Sequence, residues 1–242
     1  MTTPCTACPL RKSSVFTPMT SDEVAFMTRF KTGELAVDAG TPIMMEGANS
    51  PQLFTALSGM GLRYKTLQDG RRQVLNFIFP GDFIGMQAAL MGEMGHSVEA
   101  TTAMKLCVFR RSDVWNLFKT MPERAFDLTW LAAVEENFLG EALATVGQKP
   151  ALERLSWALV RLFKRAQAVA MTKGQSMPLP FRQQDLADSL GLSLVHTNKT
   201  LARLRERQVA QWSDGVLRIS NLTELARIGD IDIEAPVTRP LM

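Results

Sequence analysis

Residues 182–207 read Arg-Gln-Gln-Asp-Leu-Ala-Asp-Ser-Leu-Gly-Leu-Ser-Leu-Val-His-Thr-Asn-Lys-Thr-Leu-Ala-Arg-Leu-Arg-Glu-Arg. The stretch predicts two short helices meeting at Gly191, whose backbone freedom suits the turn. Ala187, four residues earlier, is small where the helices would cross. Ser193 suits the N-cap of the second helix, since its hydroxyl can accept from an otherwise unpaired N–H group. Leu194, Leu201 and Leu204 give that helix an apolar side, which leaves Asn198, Lys199, Arg203 and Arg207 toward solvent or phosphate. This is the pattern of a DNA-binding helix-turn-helix. Asn can pair bidentately with adenine and Lys with guanine in the major groove, and His196 lies near enough to the helix start to reach a base edge. Arg182 and Gln183 open the first helix, where the helix dipole favours phosphate. The candidate DNA-binding residues are therefore Arg182, Gln183, Ser193, His196, Asn198, Lys199 and Arg203. Residues 209–212 and 216–219 flank Ser213-Asp214-Gly215 and predict a hairpin wing. The bland alternative is an ordinary helical hairpin.

The charge balance agrees with the motif. Residues 1–150 carry 14 Lys and Arg against 15 Asp and Glu, whereas residues 151–228 carry 12 against 6. A basic excess confined to the segment with the motif suits a polyanion, although a solvated helical surface would look similar. No run approaches the length of a membrane span, and the first residues lack a secretory pattern. The expected location is the cytoplasm.

Upstream the texture changes. From Gly33 to about Cys107, glycine and turn signals recur at short intervals: Gly40, Gly47, Ser58-Gly59, Asp69-Gly70, Pro80-Gly81-Asp82, Gly92 and Gly95. Short apolar runs lie between them, and Asp69-Gly70 is a strong hairpin signal. Strands at this spacing predict an antiparallel jelly roll or barrel, preceded by a short helix over residues 21–31 with Ser21 as its cap. After Pro122 the glycines thin out. Leu128, Leu131, Glu135, Phe138 and Ala142 then fall at helical spacing and form an apolar seam. The seam could pack on the chain's own barrel. A dimer is the favoured reading, because one barrel leaves much of so long a helix uncovered. Gln148-Lys149-Pro150 ends this helix, a further amphipathic helix covers 151–170, and a polar loop runs through Pro180. The fold expected is α+β. It comprises a cysteine-containing arm (1–20), an antiparallel β jelly-roll sensor domain (21–120), a dimerisation helix (121–147), a winged helix-turn-helix domain (148–230) and a C-terminal tail (231–242).

Barrel, long helix and winged helix in that order resemble the Crp/Fnr family of bacterial transcription regulators. The likeness rests on Pro80-Gly81-Asp82-Phe83-Ile84-Gly85, on Glu153-Arg154-Leu155 and on Leu186-Ala187-Asp188-Ser189-Leu190-Gly191-Leu192-Ser193. It implies a homodimer on a two-fold-related double-stranded DNA site, with half-sites on the order of 34 Å apart, and contact with RNA polymerase if the protein activates. In cyclic-nucleotide members a Glu follows the Gly-Asp-Phe-Ile-Gly turn, and an Arg-Ser pair holds the cyclic phosphate. Met86 and His96-Ser97 stand at those places here. A bidentate Arg is hard to replace, so cyclic AMP is not expected. The familiar recognition helices place a Glu two residues and an Arg six residues after the Ser. Val195 and Lys199 occupy those positions, which leaves the operator sequence open.

The oxygen-sensing branch of that family holds a 4Fe–4S cluster with three N-terminal cysteines and one near the barrel's end. Cys5 and Cys8 resemble two of the first group and Cys107 the distant one. The third N-terminal cysteine is missing near Ser13-Ser14, so a fourth ligand would have to come from elsewhere, with His96 the nearest candidate. Other readings stay open: Cys5 and Cys8 as a redox pair or zinc half-site, and Cys107 as a small hydrophobe in a strand. An enzyme on a cupin-like barrel would need clustered His and carboxylate ligands, and the chain has only His96 and His196. The sequence carries no Walker A loop, G-x-S-x-G elbow or H-E-x-x-H. The chain reads as a regulator responding to oxygen or redox state, or to another small molecule or no ligand with the cysteines incidental.

Overall fold

The computed structural model describes residues 2–233 and 237–242. The chain divides into two units. One holds the residues up to Lys65, Leu75–Asn137 and Thr238–Met242; the other holds Thr66–Val74 and Phe138–Val237.

In the first unit, short 3-10 turns at Cys5–Ala7 and Pro9–Lys12 lead to helix α1 (Ser21–Phe30). Its cap is Thr20, one residue before the one expected. Glu23 N donates to Thr20 Oγ1 at 3.2 Å and Thr20 N to Glu23 Oε2 at 2.7 Å, a reciprocal pair that satisfies two otherwise unpaired N–H groups. Strands β1 (Lys31–Val37), β2 (Pro42–Met44), β3 (Gln52–Ser58), β4 (Gly61–Thr66), β5 (Arg72–Ile78), β6 (Phe83–Ile84), β7 (Ser97–Ala100) and β8 (Met104–Arg110) follow, with helix α2 (Met86–Met91) between β6 and β7. They form two antiparallel sheets, ordered β1-β8-β3-β6 and β2-β7-β4-β5, as the recurrent turn signals predict.

Side chains alternate across the first sheet, as the two-residue period of a strand requires. Phe54, Ala56, Leu106 and Val108 join Ile78 and Val98 in one core. Leu53 and Phe109 turn the other way and pack with Phe26, Phe30, Leu117 and Leu128. Cys107 lies on this second, helix-covered face. Helix α3 (Val114–Thr120) then leads into α4 (Pro122–Gln148), a helix of 27 residues. Pro122 suits a first helical position, where no N–H is needed.

The five residues expected to form a dimer seam differ in their surroundings within one chain. Leu128 is buried in the second core and Leu131 packs against it. Glu135 accepts from Asn76 Nδ2 at 3.1 Å and pairs with Arg63 Nη1 at 3.2 Å. Phe138 stacks on Trp157, with ring centroids 6.1 Å apart, and Ala142 is half-buried. Apolar residues exposed on α4 in a single chain are Phe126 (69% exposed), Val134, Leu139 and Leu143 (75% exposed). Sequence periodicity shows that α4 has an apolar stripe. It does not show which part of a wide stripe its own chain covers.

The second unit contains α5 (Ala151–Ala168), β9 (Ser176–Pro178), α6 (Gln183–Leu190), α7 (Leu194–Glu206), β10 (Ala210–Ser213), β11 (Val216–Ile219) and α8 (Leu222–Gly229). The wing has three strands, ordered β10-β11-β9. Its third strand comes from the segment expected to be a polar loop, where Met177 is buried beside Leu217. Among the described residues no helix is long and apolar enough to cross a membrane.

Candidate functional site

Helix α6 starts where Arg182 N donates to Asp185 Oδ2 at 2.9 Å. Asp185 is buried, and the Arg182 guanidinium pairs with it at 2.6 Å. Part of the Arg182 charge is thus already matched by a carboxylate within the helix. At the other end Gly191 adopts φ +62°, and its N–H and that of Leu192 both return to the Ala187 carbonyl. This left-handed cap ends α6 sharply. Two residues on, Ser193 Oγ accepts from His196 N at 3.2 Å and starts α7.

The turn is also held from behind. Arg154, in the Glu153-Arg154-Leu155 segment, donates from Nε to the Lys149 carbonyl at 2.5 Å and from Nη1 to the Leu190 carbonyl at 3.1 Å. One planar guanidinium thus ties the end of α6 to the end of α4. Lys149 Nζ in turn reaches the Gly229 and Asp230 carbonyls at the end of α8, both at 2.9 Å.

Helix α7 buries Thr197, Thr200 and Leu204. Leu194, expected on its apolar side, is 39% exposed, and Leu201 is half-buried. The buried phase follows 197, 200 and 204, and Leu194 falls outside it. The two threonines were missed because Thr is not a strong burial signal, although the Thr200 hydroxyl here donates to the His196 carbonyl at 2.8 Å. Val195, His196, Asn198, Lys199 and Arg203 are all exposed on α7, and Ser193 is exposed at its cap. Gln183 is half-buried at the first position of α6. Across the β10–β11 turn Asp214 and Gly215 both have positive φ, +51° and +71°, the primed geometry that suits a two-residue hairpin. Trp212 Nε1 donates to the Leu179 carbonyl at 3.1 Å and steadies the wing, on which Arg218 is exposed.

The three cysteines, all free thiols, share one neighbourhood in the first unit. Cys5 and Cys107 pack against the same apolar cluster, and Cys8 and Cys5 lie near enough to act electrostatically on Cys107. Burial pushes the Cys107 thiol up to about 11, while the Lys31 ammonium pulls it down. Lys31 and Glu34, which the sequence reading missed, fasten the arm. Lys31 Nζ donates to the Thr3 carbonyl at 2.6 Å, Thr3 N donates to Glu34 Oε1 at 2.7 Å, and Lys31 and Glu34 pair at 2.6 Å. Glu34 also sits opposite Cys107 in the β1–β8 register. Only the folded pairing brings these residues together, so no sequence spacing announces them.

His96 does not belong to this group. The charges that act on it are Arg63, Glu135, Glu46 and Lys65, and it immediately precedes β7 in the other sheet, so the sequence-based fourth-ligand candidate is not beside the thiols. Burial, with Arg63 next, holds its imidazole down at about 4. Among the described residues no three His, Cys, Asp or Glu side chains are arranged to hold one metal ion. Of the positions compared with cyclic-nucleotide members, Met86 packs against the second core and Ser97 Oγ accepts from Glu46 N at 3.0 Å. Arg63 is engaged by Glu135 and by the Phe83 carbonyl at 2.8 Å.

Comparison with known proteins agrees with this architecture. Residues 34–121 match the cyclic nucleotide-binding domain, and residues 153–228 match the Crp-like helix-turn-helix domain. The chain is 30% identical to the nitrogen fixation regulation protein FixK of Rhizobium meliloti over 177 residues, 72% of this chain and 76% of that one. It is 25% identical to the transcriptional activator protein FnrL of Cereibacter sphaeroides over 93% of this chain and 90% of that protein. Among solved structures, FixK2 of Bradyrhizobium japonicum has the same fold. Its TM-score is 0.75 at 23% identity, over 84% of this chain and 98% of that one.

Proposed function

The chain belongs to the Crp/Fnr family of DNA-binding transcription regulators, and from that premise we propose that it reads a two-fold-related operator through α7 as a homodimer, with the cysteine arm as its signal input. Its relatives are regulators, and the protein is not an enzyme. The observation that carries the reading is the exposed row Val195, His196, Asn198, Lys199 and Arg203 on a helix whose start is fixed by Ser193 and whose approach is fixed by Gly191 and Arg154. Rigid elements of this kind hold base-reading side chains in register, while cations at the rim supply phosphate contacts. The second copy would meet α4 along the stripe of Leu128, Leu131, Glu135, Phe138 and Ala142, widened by the exposed Leu139 and Leu143.

The gathering of Cys5, Cys8 and Cys107 supports a response to oxygen or redox state. Thiolates are soft donors that suit iron, and an iron–sulfur cluster, whose ligands are spread over several irons, would supply an oxygen-labile link between the arm and β8. The chain's own part is to hold the arm through Lys31 and Glu34 and to present Cys107 from a covered face. Cyclic AMP is not part of this reading, because Ser97 and Arg63 already have partners in the barrel. Anaerobic purification, a visible spectrum and iron and sulfide assays test the input. DNA binding that tracks the colour supports it; a colourless, iron-free protein binding the same DNA with or without air overturns it.

A further inference from the structure

Residues 238–242 follow the DNA-binding unit in sequence but fold as part of the first unit. They meet three parts of it. Arg239 forms a parallel bridge with Phe16 of the cysteine arm: Thr17 N donates to the Arg239 carbonyl at 2.9 Å, and Arg239 N to the Val15 carbonyl at 2.8 Å. The Arg239 guanidinium covers the Phe16 ring and reaches the barrel turn, pairing with buried Asp82 at 3.0 Å and donating to the Gly81 carbonyl at 3.0 Å. A Cβ on Gly81 would overlap the Phe16 ring, so the turn is shaped for the arm to cross it. Beyond Arg239, Leu241 and Met242 are each 4% exposed. Thr55 Oγ1 donates to the Met242 carbonyl at 2.6 Å, and the Met242 side chain joins the cluster against which Cys5 and Cys107 pack.

The third contact is at the root of α4. Arg124, 2% exposed, donates to the Leu241 carbonyl and contacts Met242 Sδ at 3.4 Å. It also pairs with Asp127 at 2.8 Å and with Glu23 of α1 at 3.5 Å. A buried guanidinium needs its partners, so the position of α4 at its base depends on residues 241 and 242 being seated.

We propose that residues 238–242 are a working part of the sensor: a strap that holds the cysteine arm on the barrel and joins it to the base of α4 through Arg124. The arm is then held at Thr3 by Lys31 and Glu34 and at Val15–Thr17 by the strap, with both early cysteines between these anchors. The strap's regulatory meaning rests on the arm being the signal input, but its existence does not depend on a bound cluster. Linkage requires reciprocity: if the strap restrains the arm, a change at the cysteines alters the strap.

The test uses the full reduced, metal-free protein and reads thiol modification by a maleimide together with tryptic cleavage after Arg11 and Lys12. Arg239→Ala keeps Leu241 and Met242 and removes only the charged contacts. Deletion of 238–242 removes the strap, and Val237→Ala, at a position 71% exposed, is the control. Loss of the charge-assisted bonds predicts modification of Cys5 and Cys8 faster by about ten- to a hundredfold in Arg239→Ala, with earlier tryptic cleavage. The control stays at the parent rate. A Thr-Arg-Pro-Leu-Met peptide added to the deletion variant slows modification again. Amide hydrogen exchange separates a local from a global effect, and faster exchange confined to residues 3–17 and α4's first turn supports the strap. Parent thiol rates in both variants overturn the proposal, as does a uniform rise in exchange that includes α5 and α7.

Discussion

Arg154 Nη1 lies 3.1 Å from the Leu190 carbonyl oxygen, so a residue of α5 closes the end of α6 where the chain turns toward the recognition helix. The same guanidinium reaches the Lys149 carbonyl through Nε. Replacing Arg154 with Ala leaves two carbonyls without their charged donor, at a cost of about 1.5–3 kcal/mol. Arg154→Lys recovers less than half of this, because a single ammonium does not span both acceptors as the planar fork does. Thermal or denaturant unfolding of the two variants checks the prediction.

Lys199 and Arg203 are both exposed on α7 and are expected to act differently. Lys199→Ala weakens specific operator binding by about 1–3 kcal/mol and relaxes preference at one base position. Arg203→Ala weakens binding evenly across sequences and lowers the salt slope by about 0.9. Binding titrations at several salt concentrations on operator and scrambled DNA separate the two. Equal losses on both DNAs for Lys199→Ala would place the base-reading face elsewhere.

Leu143 and Phe138 stand on different sides of the second half of α4. Leu143→Glu, at a position 75% exposed, is predicted to leave the unfolding free energy of the dissociated chain within about 0.5 kcal/mol of the parent and to shift sedimentation from dimer to monomer. Phe138→Ala removes the stack on Trp157 and costs stability, on the order of 3 kcal/mol if the site does not collapse. A Leu143→Glu variant that stays dimeric would place the contact elsewhere on α4.

His96 sets an acid limit on the barrel. Its folded value of about 4 lies below the ordinary 6.5, because burial and Arg63 oppose the charged form. Lys65 acts in the same direction, and Glu135 and Glu46 oppose it. The unfolded chain therefore takes up the proton first. The stability tied to neutral His96 is fully present above about pH 6.5 and is lost as pH falls from there through about 4. His96→Gln should show a shallower fall in melting temperature across that window. Parallel curves for variant and parent would mean that His96 is not protected in the folded state.

How much could be read from residues alone follows from which forces are local. Gly191, Ser193 and Asp214-Gly215 act on their own neighbours in the chain, so the helix-turn-helix and the wing hairpin were legible, as were the barrel's turns. The buried side of α7 was misread at Leu194, because which residues a short helix buries depends on what lies beneath it. The intrachain partners of α4 show the same limit. Glu135 meets Asn76 from a distant strand, and no periodicity encodes that. The cysteines were recognised, but Lys31, Glu34 and Arg239 joined them only through strand register and a returning segment. β9 was hidden because three residues carry little pattern of their own.

Selection from a pool of random double-stranded DNA tests whether paired copies of α7 read a two-fold site. The expected result is enrichment of an inverted repeat with half-site centres about 10–10.5 base pairs apart, and loss of preference at one base of each half-site with Lys199→Ala. Enrichment of no sequence, or of a single unrepeated half-site whose preference survives Lys199→Ala, would contradict it.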